Sequence, residues 1–196
     1  MRRIPRVLAL AVVVLLLALP CRALAYETMN DHVLNGGVGN YGYNDRYYFV
    51  ASGAQQYDTY IHNAMHDWIY TTSRLGITTP ISWLETSTQS SSVMDLHAAN
   101  YWGSNGTIAE TSYWTYDTQK NPETSNWGWG KIKINTPVFN GLSSFNREGS
   151  CAHEMGHVMG LDENNTMPQS VMCQLMYGRT VNNARADDCH GINHLY

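Results

Sequence analysis

Residues 151–163, C-A-H-E-M-G-H-V-M-G-L-D-E, constrain this chain more than any other part of its sequence. They contain two histidines four positions apart, His153 and His157, and Glu154 directly follows the first. Residues four apart lie on the same face of an α-helix, one turn above each other. The spacing therefore predicts a helix that presents two imidazoles on one side, where they can bind one zinc ion.

Glu154 lies on the adjoining flank of this predicted helix, within reach of a water on such a zinc. Amide hydrolysis needs this arrangement, because the metal lowers the pKa of the water and polarises the scissile carbonyl while the carboxylate takes the proton as general base. The competing interpretation is a surface helix with two unrelated histidines. The residues that follow the helix favour the catalytic interpretation.

A third ligand is expected just after the helix ends. Gly160 stands three residues after His157, where helices commonly end on a left-handed glycine, and such a turn brings the chain back toward the metal. Glu163 occupies the eleventh position, where H-E-x-x-H-x-x-G-x-x-H carries its third ligand. We therefore predict that Glu163 completes the metal site. Asp162, one residue earlier, is the competing candidate.

The first 25 residues have the pattern of a secretory signal peptide. Arginines precede an unbroken apolar run at 7–19, and Ala23, Leu24 and Ala25 form an A-x-A cleavage site. The run of 13 residues is too short for a comfortable membrane span. We predict a signal peptide at 1–25 and one secreted, extracellular domain at 26–196, without a stable membrane anchor.

The charge of the predicted mature chain excludes some partners. Four of the twelve basic residues lie in the signal, which leaves eight against sixteen acidic residues. Nucleic acid is a poor partner for such a surface. The length suits one domain with its own core, and we expect a monomer.

Export also permits a disulfide among Cys151, Cys173 and Cys189. We favour one bridge, with Cys173–Cys189 as the candidate, over three buried free thiols.

The rest of the chain predicts a mixture of strands and helices. Aromatic and β-branched residues predict strands at 43–51, 81–85, 93–99, 108–116 and 131–135. Apolar periodicity, capping residues and the motif predict helices at 57–75, at 143–159 and within 182–196. Polar stretches at 26–41 and 117–126 are predicted to be loops.

Two further histidine groups are less suited to a metal. His62 and His66 also lie four apart, but no glutamate follows His62, so we interpret them as polar surface residues. His97 lies near acidic residues that could bind a second ion, although a solvated strand face is the favoured interpretation. Ca²⁺ binding is possible, but no residue of the sequence supports it.

These motifs together resemble the catalytic domain of a bacterial matrixin-like metzincin. The resemblance rests on H-E-M-G-H-V-M-G-L-D-E, on S-V-M at 170–172 in the place of the Met-turn, and on D-D-C-H-G-I-N-H-L-Y at 187–196. It extends to A-x-x-x-W at 64–68 and I-x-I-N at 132–135, and it is weaker there. It implies an α+β, zincin-like fold, with a twisted mixed β-sheet, two main helices and a short C-terminal helix. Met172 would form an apolar floor beneath the metal.

The resemblance also implies a function. We expect a secreted zinc metalloendopeptidase in which His153, His157 and Glu163 hold one Zn²⁺ and Glu154 activates the zinc-bound water. Its substrates would be proteins or peptides that lie along an edge strand. Glu163 departs from most relatives, which have His there, and no P-R-C-G-x-P-D segment is present.

Two alternatives remain open at this stage: a secreted zinc-binding protein without proteolytic activity, and a cell-wall amidase. The intact Glu154 argues against the first, because a closed structural zinc site has no use for such a base.

Overall fold

A six-stranded mixed sheet forms the frame of the protein in a computed structural model that describes residues 26–196. The predicted signal peptide at 1–25 lies outside the described residues. The strands are β1 (Arg46–Val50), β2 (Trp83–Glu85), β3 (Met94–Ala99), β4 (Ala109–Thr115), β5 (Thr118–Lys120) and β6 (Trp129–Asn135). Their order across the sheet is β2-β1-β3-β6-β4-β5. β2, β1, β3 and β6 run parallel, and β4 runs antiparallel to both of its neighbours.

The helices are α1 (Asp58–Ile69), α2 (Thr71–Leu75), α3 (Thr136–Phe139), α4 (Ser144–Val158) and α5 (Ala186–Leu195). The expected α+β fold, with two main helices and a short C-terminal one, is confirmed. Within the described residues, no helix combines the length and the apolar character that a membrane crossing requires.

The first main helix, α1, forms because its apolar residues recur with helical spacing. Ile61, Ala64, Met65 and Trp68 are buried on one face, as the periodicity predicts. The predicted helix at 57–75 is interrupted at Tyr70, whose φ of −94° and ψ of 36° are not helical. The following short helix ends at a left-handed glycine, as expected from the sequence.

The second main helix, α4, is the most enclosed element of the fold. Ser143 caps it by accepting a hydrogen bond from the Asn146 backbone, and every residue from Gly149 to Val158 is buried. The Trp68 indole donates to the Ala152 carbonyl and ties α4 to α1 at 3.0 Å. This burial places the histidine motif inside the protein rather than on its surface.

The predicted loop at 117–126 contains a strand, so that prediction is wrong in part. Tyr116 has a positive φ of 52°, which allows a tight hairpin turn, and Thr115 pairs with Thr118. β5 is short and its first two residues are exposed. It therefore buries no apolar face, and its sequence carries no strand periodicity.

The predicted loop at 26–41 is irregular, as expected, but it pairs with distant parts of the chain. Thr28 forms an antiparallel bridge with Leu161, and Leu34 forms a parallel bridge with Trp127. The Met29 amide donates to the Gly160 carbonyl at 3.2 Å. This segment therefore braces the chain directly after α4.

The three described cysteines are free and buried, which contradicts the Cys173–Cys189 bridge favoured from the sequence. Cys173 and Cys189 are both fully buried, and burial raises the pKa of the Cys189 thiol to about 12. Buried cysteine behaves as a small apolar side chain. The chain thus uses these residues for packing, which the spacing in the sequence does not reveal.

Candidate metal centre and active site

His153 and His157 lie one turn apart on α4 and bring their Nε2 atoms to 3.0 Å from each other. The Nδ1 atom of His153 lies 2.9 Å from the Val171 carbonyl, and that of His157 lies 2.9 Å from the Leu161 carbonyl. A carbonyl oxygen can only accept, so both Nδ1 atoms carry a proton. In the neutral rings, both Nε2 lone pairs then point at the same position.

Glu163 reaches this position because the chain reverses at Gly160. That glycine has a φ of +97°, a backbone conformation that L side chains rarely adopt. The Leu161 amide donates back to the Gly156 carbonyl at 3.0 Å, which closes the end of the helix. The Glu163 Oε1 atom lies 3.5 Å from His153 Nε2 and 3.4 Å from His157 Nε2.

The three ligand atoms fit a zinc ion. Tetrahedral zinc with bonds of about 2.0–2.1 Å separates its ligand atoms by about 3.3–3.4 Å. The observed separations are 3.0, 3.4 and 3.5 Å. The second carboxylate oxygen, Glu163 Oε2, is buried and has no hydrogen-bond partner. Two nitrogen lone pairs and a carboxylate converge here, and such a donor set calls for a cation.

The ionisation of these side chains without a metal also indicates a cation site. Burial alone would lower the pKa of His157, but the Glu163 carboxylate outweighs burial and raises that pKa to about 9. Burial would likewise raise the pKa of Glu163, but hydrogen bonds from His153 and His157 lower it to about 2. Glu163 therefore holds its negative charge beside the two imidazoles, where a metal cation would replace the proton.

Asp162, the competing candidate, lies outside the group. His153, His157 and Glu163 are the only set of at least three such side chains in the described part of the chain whose ligand atoms converge. Asp162 Oδ1 instead accepts a hydrogen bond of 2.7 Å from the Glu163 amide. Its own amide donates to the Glu27 carbonyl at 3.0 Å. Asp162 thus supports the segment that carries Glu163.

Glu154 is 7 % exposed and directly follows His153 on α4. Thr111 on β4 donates a hydrogen bond of 2.6 Å to Glu154 Oε2 and a longer one of 3.2 Å to the Glu154 carbonyl. The hydroxyl therefore fixes the carboxylate without neutralising it. Sequence reasoning missed Thr111, because a single threonine in a strand gives no signal of such a contact.

Met172, in the expected Met-turn, packs against α4 at Gly156, the residue directly before His157. It is 2 % exposed, and a Cβ on Gly156 would overlap its sulfur atom. The turn is held by Asp188 on α5, which accepts hydrogen bonds from the Ser170 hydroxyl and the Val171 amide. Because the Val171 carbonyl accepts from His153, this chain of contacts fixes the direction of the His153 imidazole.

The other histidines do not form metal sites in the part of the protein that the structure describes. His62 binds Glu85 at 2.7 Å on the surface, and His66 stacks on Tyr70 with ring centroids 4.4 Å apart. His97 lies 3.9 Å from Asp95, with no third ligand. The interpretation of His62 and His66 as polar surface residues agrees with these contacts.

A cavity of about 560 Å³ opens next to Glu154. One wall is formed by 105–109, which lead into β4. The other is formed by α4 and the segment that follows Met172. His153, Glu154 and the buried Arg179 face it together. Sequence reasoning missed Arg179, because nothing near it in the sequence marks it as part of a site.

Comparison with known proteins gives one clear result. The sequence model of the matrixin family matches residues 52–196. A comparison with curated proteins finds no match. Among 63 matching chains of solved structures is "GM1 bound form of the ECX AB5 holotoxin". It is 13 % identical, with a TM-score of 0.49 over 87 % of this chain and 90 % of that chain. A likeness of this size says nothing of what this chain binds or cuts.

Proposed function

Because this chain belongs to the matrixin family of zinc metallopeptidases, we propose that it is an endopeptidase in which Glu154 activates the attacking water. The observation that supports this proposal best is the convergence of His153, His157 and Glu163 next to the buried Glu154. A closed structural zinc site has four protein ligands and no base, whereas this group offers three ligands and a carboxylate beside them.

Zinc in this group would supply Lewis acidity, which lowers the pKa of a water and polarises the scissile carbonyl. The protein positions the remaining groups. The Val171 and Leu161 carbonyls orient the two imidazoles, and the Thr111 hydroxyl holds Glu154 Oε2.

Glu154 takes a proton from the attacking water as the new carbon–oxygen bond forms, and it gives that proton to the leaving nitrogen as the carbon–nitrogen bond breaks. The products are a carboxylic acid and an amine, and at neutral pH the proton of the acid passes to the amine, which gives a carboxylate and an ammonium group.

The open edge of β4 suits a peptide substrate. β5 pairs with only the last three residues of β4, Tyr113, Trp114 and Thr115. Among the described residues, no strand pairs with the outer edge of 109–112. In this stretch Ala109 lines the cavity and Thr111 contacts Glu154. We propose that an extended protein or peptide segment adds to this edge as a strand, which presents its scissile bond to the metal group.

We also propose that the protein is exported as a soluble monomer with 1–25 removed. The support is the sequence pattern of this segment, with its arginines, its apolar run and its A-x-A site. Mass spectrometry of protein collected outside producing cells should show a chain that begins at or near Tyr26. A retained 1–25 segment would contradict export by cleavage.

The proposed function is tested by measuring the zinc content and the casein cleavage of purified protein that comprises residues 26–196. We expect one tightly bound zinc per chain and cleavage that a chelator abolishes. The matched control is Glu154→Gln, which keeps the shape of the side chain but cannot take a proton. This variant should keep zinc and cleave casein slower by about 100-fold or more.

Full cleavage by metal-free protein would refute the zinc mechanism. Zinc binding without cleavage of any protein would instead favour the non-proteolytic alternative.

A further inference from the structure

A buried arginine lines the cavity beside Glu154. Arg179 is 6 % exposed and is the only lysine or arginine among the described residues that form the walls. The walls include the apolar side chains of Ile108, Ala109 and Leu175, together with polar ones such as Thr107 and Gln174. The cavity therefore combines partly apolar walls with one buried positive charge.

The guanidinium of Arg179 has no carboxylate within ion-pair distance among residues 26–196. It donates hydrogen bonds to the Ser150 hydroxyl at 3.2 Å and to the Val171 carbonyl at 3.5 Å. Its Nε atom is buried and has no partner. Buried charges in proteins are usually paired, because removal from water is costly. Burial accordingly lowers the pKa of Arg179. The two hydrogen bonds use only one N–H group each on Nη1 and Nη2, so the guanidinium has further donors for an anion.

Helix α4 packs closely against this guanidinium at Gly149. A Cβ on Gly149 would lie 3.1 Å from Arg179 Nη2 and 3.0 Å from Asn182 Cα, so even alanine would need a small shift of one of these neighbours. Glycine inside a helix costs about 1 kcal/mol relative to alanine. The close approach of Arg179 accounts for its presence at this position. The guanidinium is therefore fixed by its hydrogen bonds and by close packing against α4.

The opposite wall is also fixed. The Asn135 side chain is fully buried and donates to the Gly103 and Thr107 carbonyls at 2.9 and 2.8 Å. Its oxygen accepts from the Tyr101 and Trp102 amides. These bonds hold the loop that leads into 105–109, so the cavity is preformed and needs little ordering to bind a side chain.

The position of the cavity selects one substrate residue. His153 and Glu154 line it, so it opens next to the groups that act on the scissile bond. Glu154 returns its proton to the leaving nitrogen, and the residue that carries this nitrogen must therefore lie on the Glu154 side. This residue directly follows the scissile bond.

We propose that the cavity receives an acidic side chain of the residue after the scissile bond, and that Arg179 binds its carboxylate. The inference rests on the proposed endopeptidase function and names its substrate class: proteins cut before glutamate or aspartate. The apolar walls fit the aliphatic stem of glutamate, and the guanidinium fits its charged end.

The first test profiles cleavage sites. Wild-type protein, Arg179→Met and Arg46→Met digest the same peptide library, and mass spectrometry identifies the new amino termini. Arg46 is the matched control, because its Nε is also buried and unpartnered but it does not line the cavity. We expect wild type and Arg46→Met to cut before acidic residues. For Arg179→Met, kcat/KM on a glutamate peptide should fall about 10-fold or more relative to its leucine counterpart, since a charged hydrogen bond is lost.

The second test measures binding and does not need turnover. Three succinyl hydroxamates chelate the zinc and place a carboxyethyl, a carboxamidoethyl or an isobutyl side chain next to it. Calorimetry on zinc-loaded wild type should show the carboxyethyl compound binding about 10-fold or more tighter than its amide. This comparison on wild type alone stands even if Arg179→Met fails to fold. In a folded Arg179→Met protein the difference should disappear.

The outcomes separate the two proposals. Cleavage without acidic preference, together with equal binding of the carboxyethyl and carboxamidoethyl compounds, would overturn the role of Arg179 and leave the endopeptidase function standing. Absence of zinc and of cleavage in wild type would overturn the endopeptidase function and the substrate inference with it.

Discussion

Replacing Glu163 by alanine tests the third metal ligand directly. The structure places one Glu163 oxygen 3.4 and 3.5 Å from the two imidazole nitrogens, whereas Asp162 only accepts a hydrogen bond from the Glu163 amide. Glu163→Ala therefore removes a ligand, and Asp162→Ala removes a support. The two variants should differ sharply in zinc affinity.

The expected magnitudes follow from these contacts. Loss of groups that only orient a ligand already lowers metal affinity by about 10- to 100-fold. Loss of the Glu163 carboxylate itself should therefore lower zinc affinity by about 100-fold or more. Asp162→Ala removes one hydrogen bond of 2.7 Å, worth about 0.5–1.5 kcal/mol. Because this bond goes to the Glu163 backbone and not to its carboxylate, the effect on zinc affinity should be about 2- to 13-fold.

The assay is zinc titration of both variants and wild type against a competing chromophoric chelator at pH 7. Circular dichroism and thermal unfolding of each zinc-free protein control for loss of fold. If Asp162→Ala loses zinc while Glu163→Ala retains it, the assignment is wrong and Asp162 is the ligand. Equal, small losses would show that the two histidines hold the metal without a carboxylate.

Three further predictions concern the surroundings of the metal group. Gly156→Ala should lower the free energy of unfolding by about 1–3 kcal/mol in chemical denaturation, because the added methyl overlaps the Met172 sulfur. Thr111→Val should keep zinc but lower kcat on casein by about 10-fold, since Glu154 loses its 2.6 Å hydrogen bond. His157 has its pKa raised from 6.5 to about 9, so zinc-free protein should be most stabilised by this group below pH 6.5 and lose that stability as pH rises through 9. Calorimetry of zinc-free and zinc-loaded protein should show the loss in the zinc-free form alone.

Each of these predictions has a clear contrary result. Unchanged unfolding in Gly156→Ala would mean that Met172 shifts without cost. Unchanged kcat in Thr111→Val would mean that the helix alone orients Glu154. A stability of zinc-free protein that does not fall between pH 6.5 and 9 would contradict the charged state of His157.

The convergence of His153, His157 and Glu163 could be predicted from the sequence because its geometry is almost entirely local. His153 and His157 are one helical turn apart wherever a helix forms, and Gly160 sets the reversal that brings Glu163 back. Main strands and helices were predicted for a similar reason, since each buries an apolar face with a regular period. Ile132 and Ile134 on β6, for example, are both buried.

The parts that sequence reasoning missed depend on contacts between distant segments. Thr111 touches Glu154 only because β4 lies against α4, and Arg179 enters the cavity only because the chain after Met172 folds back. β5 buries no apolar face, so periodicity could not reveal it. The free state of the cysteines depends on which side chains surround each sulfur, and spacing holds no such information.

The bracing of the segment that carries Glu163 by 26–34 has a consequence for the order in which the site forms during folding. The Leu34 amide donates to the Tyr196 hydroxyl, 162 positions later, and Met29 donates to the Gly160 carbonyl. Contacts of such long range form late, because a large loop must close before they stabilise anything. Loss of 26–34 would therefore leave the two histidines paired on α4 while removing contacts that hold the segment carrying Glu163. Zinc affinity would then report whether this distant segment has docked.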